Sequence, residues 1–195
     1  MTDTSQPQRG FTIVELLIVI VIIGILAALV ITFFTGVRER AYNAAIVGGV
    51  KQYLTGIEAY RSLYGYYPKT QAEEDFEPFA LTCLGRGYQS QYCGKVSNQD
   101  TFEDALFYQN ISEVMGSTSN SIAKNIIHVQ NETFVGAVYG IDDITPSGKG
   151  RTIQYALLGT NANCVLPGSY AYNLSTNPPT TACEIVLEDL DNNWP

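Results

Sequence analysis

Glu15 lies five positions after Gly10, inside a run from Phe11 to Val37 that carries no other charge. A carboxylate within hydrocarbon is costly, and where it persists it is paired or functional. The chemistry open to Glu15 is therefore ionic pairing. The chain can supply the partner itself, because cleavage after Gly10 exposes the free α-amine of Phe11. Cysteine offers a second chemistry. Cys83, Cys93, Cys164 and Cys183 form an even set beyond the apolar run. Three pairings are open in principle, and proximity favours Cys83–Cys93 and Cys164–Cys183. Each would close a loop of about 10–20 residues, worth roughly 3 kcal/mol in the chain-entropy model. Their spacing is unlike the close CxxC pairs of zinc ligands.

Other reactive residues form no constellation. His128 is the only histidine and sits in an apolar run, which points to a structural role. There is no GxSxG elbow, no GxxxxGK[ST] loop and no GxGxxG turn. No catalytic residue, cofactor or metal site is expected. Glu188, Asp189 and Asp191, with Asp142–Asp143 in the hairpin loop expected over 142–150, are the candidates for calcium. Calcium takes six to eight oxygens from several segments, and no EF-hand pattern is present, so these acids read as a solvated edge. Asn110, Asn131 and Asn173 match N-x-[ST], a weak glycan signal here.

The stretch Arg9-Gly10-Phe11-Thr12-Ile13-Val14-Glu15-Leu16-Leu17 resembles the processing site and N-terminal helix of the type IV pilin family, including secretion pseudopilins. The likeness covers about the first 60 residues. It implies a leader, residues 1–10, removed by a prepilin peptidase between Gly10 and Phe11. It implies N-methylation of Phe11 and a role for Glu15 in assembly, paired with the new amine of a neighbouring subunit. Gly24 stands where the family often has a helix-loosening glycine. The proline that many relatives carry further along is missing, with Thr32 near its place.

The elements that must position these residues follow from pattern. Residues 11–37 would make roughly 40 Å of helix, enough to cross a bilayer core of about 30 Å. Gly24, Ala27 and Ala28 permit close helix approach. Residues 38–67 are predicted as the amphipathic half of the same helix, from about Thr12 to Tyr64, with Ile46, Val50, Tyr53, Ile57, Tyr60, Tyr64 and Tyr67 on one face. Packing explains that tyrosine-rich face. Gly65 and Pro68 end the helix. Gly48, Gly49 and Gly56 weaken it by up to about 1 kcal/mol each, so packing must hold it. Residues 69–100 read as an irregular connector with an acidic patch at Glu73, Glu74, Asp75 and Glu77. A short helix from Phe102 to Met115, capped by Asp100 or Thr101, is expected to turn Phe102, Ala105, Leu106, Tyr108, Ile111 and Met115 inward. Ser117–Ser121 breaks it. Strands are expected at 126–129, 133–139 and 152–158, with shorter ones at 169–173 and 184–187. The fold class is α+β: a long N-terminal helix, transmembrane then amphipathic, packed on a C-terminal antiparallel sheet in a head spanning 68–195, the type IV pilin fold.

The 195 residues carry a formal net charge of −8. That balance offers no electrostatic footprint for nucleic acid, apart from a small patch at Lys149 and Arg151. Arg38 and Arg40 follow the apolar run, whereas the leader has Arg9 and Asp3. The positive-inside rule alone would put the head in the cytoplasm. The resemblance and the cysteines favour export. The resemblance thus implies an inner-membrane precursor and an extracellular pilus. Its expected partners are the membrane, a prepilin peptidase, an assembly platform and further copies of this chain in a helical filament. Major pilin is the first expectation, for adhesion or motility. Pseudopilin of type II secretion, or minor pilin with an adhesin or DNA-uptake role, is the alternative.

Overall fold

The computed structural model describes residues 11–75, 79–96, 98–116, 122, 126–144, 148–159 and 162–189. The leader with Gly10, Glu77, Ser117–Ser121 and Asp191 lie outside the described residues, as do the side chains of Thr32, Asp143, Lys149, Glu188 and Asp189. The chain divides into two units, residues 1–40 and 41–195.

Helix α1 runs Ile13–Tyr64. In the first unit its described large apolar side chains are about half exposed or more, between 49% at Val30 and 81% at Ile13. In the second unit Tyr42, Ile46, Val50, Tyr53, Ile57 and Tyr60 are buried, at the three-and-four spacing of one helical face. Full burial stabilises by roughly 1.5–3 kcal/mol for each such aliphatic side chain. Gly65, at φ +81°, closes the helix as its N–H reaches the Arg61 carbonyl at 2.8 Å. This left-handed ending is one that glycine adopts without strain. Tyr67 lies past the helix end yet is buried, whereas Tyr64 points outward at 44% exposure. The helical face therefore misplaces Tyr64, while Tyr67 reaches the core from beyond the helix end.

The rest of the chain builds one sheet from nine described strands. They are β1 Ala80–Leu84, β2 Tyr92–Val96, β3 Gln99–Phe102, β4 Ile127–Val129, β5 Glu132–Phe134, β6 Ala137–Ile144, β7 Gly148–Leu158, β8 Ser169–Thr176 and β9 Pro179–Asp189. Their spatial order is β4-β5-β2-β3-β1-β6-β7-β9-β8. Pairing is antiparallel except between β1 and β3, which run parallel at Thr82↔Phe102. The expected irregular connector at 69–100 is instead a short helix α2, Gln71–Glu74, followed by three strands. Its glycines, which break sequence periodicity, are accommodated within or beside those strands. The expected loop at 142–150 is also mostly strand. Residues 137–144 and 148–158 pair in continuous register from Ala137↔Tyr155 to Ile144↔Gly148.

Helix α3, Ala105–Met115, starts later than its periodicity implies. Residues 99–102 are drawn into β3 by pairing with β2. Asp104 becomes the cap, its Oδ1 accepting the Phe107 N–H at 2.8 Å and its Oδ2 the Gln71 N–H at 2.9 Å. The inward face is accordingly Phe107, Tyr108 and Ile111, while Phe102 is 49% exposed. Gly56 of α1 lets α3 come close, since a Cβ there would collide with Met115 Sδ. Asn43 docks α1 on the sheet, donating to the Leu158 carbonyl and accepting the Leu158 N–H, both at 2.9 Å.

Disulfides join Cys83 of β1 to Cys93 of β2, and Cys164, in the β7–β8 connection, to Cys183 of β9. The cis Asn177–Pro178 bond lies in the tight turn from β8 to β9.

Two charges expected on the surface are inside. Glu73 and Arg151 are 2% and 4% exposed. They meet in a two-pronged pair with both N–O distances 2.8 Å. Tyr139 Oη accepts from Arg151 at 3.2 Å and donates to the Pro68 carbonyl at 2.7 Å. Neither a solvated acidic patch through Glu73 nor a basic patch through Arg151 exists. A buried acid and a buried guanidinium each need the other, because neither can be left in the interior uncompensated. Arg151→Met should therefore cost about 3–5 kcal/mol, read as a lower urea midpoint for the full chain in detergent. A loss below about 1 kcal/mol would show that the pair contributes little to the fold.

Candidate functional site

The N-terminal segment joins an apolar surface to one acid. Among the described helices, one is long and apolar enough to cross a membrane, with its apolar window at Ile13–Val30. None of that window is covered by the rest of the described chain. Its head is closed by a reciprocal contact. The Thr12 N–H and hydroxyl donate to Glu15 Oε2 at 2.9 and 2.8 Å, and the Glu15 N–H donates to Thr12 Oγ1 at 3.3 Å. This is a capping box, in which each end residue satisfies the other's backbone donor. Glu15 also places negative charge at the positive end of the helix dipole.

Glu15 thus has a function within its own chain that the charge argument alone overlooks. Thr12 is the residue which that argument missed. The signal was present, since Thr12-Ile13-Val14-Glu15 fits the [ST]-x-x-[DE] pattern ahead of an apolar run. Phe11, 84% exposed, precedes the cap by one position. An amine at Phe11 would lie one residue from the cap whose acid is Glu15. Gly10, the other half of the proposed processing site, is outside the described residues.

A second polar cluster lies in the head. Asp142, expected in a loop, belongs to β6 and is 1% exposed. Gln154 of β7 donates from one Nε2 to Asp142 Oδ2 at 2.9 Å and to Glu184 Oε1 at 3.0 Å. Tyr170 of β8 donates to Glu184 Oε2 at 2.5 Å. Nearby, Tyr172 and Asn173 both donate to Glu132 Oε2, at 2.7 and 3.1 Å. Burial pushes the Glu184 carboxyl above its ordinary value, with the Asp142 charge adding to the effect, while hydrogen bonds from Tyr170 and Gln154 oppose it. The sequence could not announce this cluster, because its members come from strands far apart in the chain.

Other candidates fall separately. His128 of β4 is exposed, its Nδ1 3.2 Å from Thr133 Oγ1. Among the described residues, no group of three or more His, Cys, Asp or Glu side chains is placed to hold a metal ion. Tyr53, Tyr60 and Tyr67 are core side chains.

A capped, uncovered apolar helix followed by an α+β head defines a pilin-like class of protein. The model of the prokaryotic N-terminal methylation motif matches residues 5–31. Type II secretion system core protein G of Escherichia coli K12 is 38% identical over 66 residues, which are 34% of this chain and 46% of that protein. The Klebsiella michiganensis protein of the same name is 36% identical over the same length and shares. Fimbrial protein Q of Moraxella bovis is 33% identical over 93 residues, 46% of this chain and 58% of that protein. The chain spans about half the length of the curated relatives it matches. No solved structure gives a significant match. The N-terminal motif and these relatives support a type IV pilin-like protein, on a likeness that covers the first third to half of the chain.

The Glu184 arrangement makes a pH prediction. A raised folded-state value means that the fold favours the protonated acid. The contribution is fully present below the unfolded value of 4.5 and is lost as pH rises through the folded value. Glu184→Gln should flatten the slope of Tm against pH above about 4.5 relative to the parent chain, the unfolded reference for a glutamate being near that value. Parallel Tm–pH curves for the two proteins would contradict the assignment.

Proposed function

We propose that this chain is a filament-forming subunit whose mechanism is assembly, not catalysis. The observation that carries the proposal is the uncovered apolar window Ile13–Val30, closed at its head by Thr12 and Glu15. The precursor waits in the inner membrane, held by residues 11–37. A prepilin peptidase cuts between Gly10 and Phe11, and Phe11 is N-methylated. The helix then leaves lipid and packs among identical helices, with the head of 68–195 outside.

Moving an apolar helix from lipid to an apolar fibre core gains little hydrophobic free energy. Registry must then come from shape and polar pairing. Glu15, already drawn toward the first turn, is placed to meet the Phe11 amine of a neighbouring copy. Head-to-tail contacts that do not close on themselves build a helical filament.

The finer reading is the major subunit of a surface pilus, exported to the cell exterior and serving adhesion or motility. What supports it is the size of the head and its two disulfides, which suit an oxidising exterior. A second reading, a pseudopilin of type II secretion, is favoured by the core protein G relatives. Abundance separates the two, because a major pilin dominates sheared surface fibres.

The test is the intact mass and N-terminal sequence of protein sheared from cells. Mature protein should begin at methylated Phe11, lighter by the leader and by four hydrogen atoms for two disulfides, and heavier by one methylene for the methyl group. Protein still beginning at Met1 would end the proposal. In the same cells Glu15→Lys should insert and be cleaved but yield no filaments. Normal fibres from that variant would remove the charge-pairing role while leaving filament assembly in place.

A further inference from the structure

We propose that the head carries a binding site for a neutral saccharide where the end of α1 meets α2 and α3. A cleft of about 550 Å³ opens there, lined by Tyr60, Tyr66, Lys69, Gln71, Glu74 and Asn110, with Leu106 as the aliphatic member. That volume falls in the range of roughly 300–1,000 Å³ usual for small-molecule sites, and it suits a disaccharide.

The wall has two kinds of surface. One is aromatic. Tyr60, Tyr64 and Tyr66 form a cluster, with ring centroids 4.5 Å apart for Tyr60–Tyr64 and 5.9 Å for Tyr60–Tyr66. Tyr60 is buried and anchors the cluster, while Tyr66 stands nearly perpendicular to it and stays 53% exposed. The Tyr64 hydroxyl donates to Glu113 Oε2 at 2.6 Å, which ties the group to α3. A rigid, half-exposed ring is a platform for the C–H face of a pyranose, the apolar side of an otherwise polar ligand. Aromatic rings supply such area at low conformational cost.

The other surface is polar but close to neutral. Lys69 and Glu74 neutralise each other at 3.1 Å. The side-chain amides of Gln71 and Asn110 each bring donors and an acceptor. Their own protein contacts are long, at 3.3 Å from Gln71 Nε2 to Asp75 and from Asn110 Nδ2 to the Lys69 carbonyl. Such amides exchange readily for ligand hydroxyls. Mixed donors and acceptors beside a ring match a polyhydroxyl compound. They do not match a lipid, which wants no polar wall. An organic cation gains no net charge attraction there either, since Glu74, the one acid in the wall, is already paired with Lys69. The cleft is built within one copy of the chain and does not depend on filament formation.

The test is saturation-transfer NMR and titration of the full chain in a sugar-free polyoxyethylene detergent, because alkyl glycosides would compete. Lactose, maltose, cellobiose and N,N′-diacetylchitobiose serve as probes, with choline as the cationic comparison. At least one disaccharide should bind saturably. Tyr66→Ala should weaken it tenfold or more with Tm unchanged, and Tyr66→Trp should keep it. The proposal is overturned if no disaccharide binds, if choline alone binds, or if Tyr66→Ala binds as the parent does.

Discussion

Apolar surface that the chain cannot cover is the constraint on which the remainder depends. From Ile13 to Val30 the helix presents aliphatic side chains in every direction, and the described residues shield none of them. Water is not a tolerable neighbour for so much hydrocarbon. Lipid and the apolar sides of other helices are, and they differ little in free energy. A segment with two nearly equivalent environments can move from one to the other. The polar group at its head then matters more than its number of atoms suggests, because polar pairing distinguishes environments that the hydrophobic effect does not.

Thr12 and Glu15 show how such a group is kept usable. A helix start in a membrane has orphan N–H groups that water cannot reach. The Thr12 N–H finds its acceptor in Glu15 at 2.9 Å. The carboxylate is therefore held close to the place where the residue after Gly10 would present its amine. Capping and charge pairing are compatible uses of one side chain, since a carboxylate accepts several hydrogen bonds at once.

The head solves the opposite problem, that of polar groups inside. Arg151 and Glu73 join β7 to α2 across 78 positions of the chain, and Asn43 joins α1 to the last residue of β7. Asp104 caps α3 while holding the start of α2. Apart from the α3 cap itself, each contact joins elements distant in sequence, so together they fix how the pieces of the head meet. The aliphatic face of α1 supplies free energy, but such contacts are not directional. The hydrogen bonds select one arrangement from those that burial alone would allow.

What could be read in advance was whatever repeats locally. The apolar run, the face through Ile46, Val50, Tyr53, Ile57 and Tyr60, and the stop at Gly65 follow from helical period and from glycine's left-handed freedom. The α+β order follows from a helical pattern giving way to β-branched runs. Thr12 as the partner of Glu15 was equally available, three positions away. Tertiary structure alone decided the rest. Residues 99–102 became a strand because β2 lay ready to pair with them, which moved the start of the helix expected at Phe102 to Ala105. Glu73, Arg151, Asp142 and Glu184 went inside because partners arrived from other strands and from α2, and a charge's tolerance for burial depends on what faces it. Period and capping act over a few residues and are written in order along the chain. Pairing of strands and of buried charges joins residues that only folding makes neighbours, and no local pattern records it.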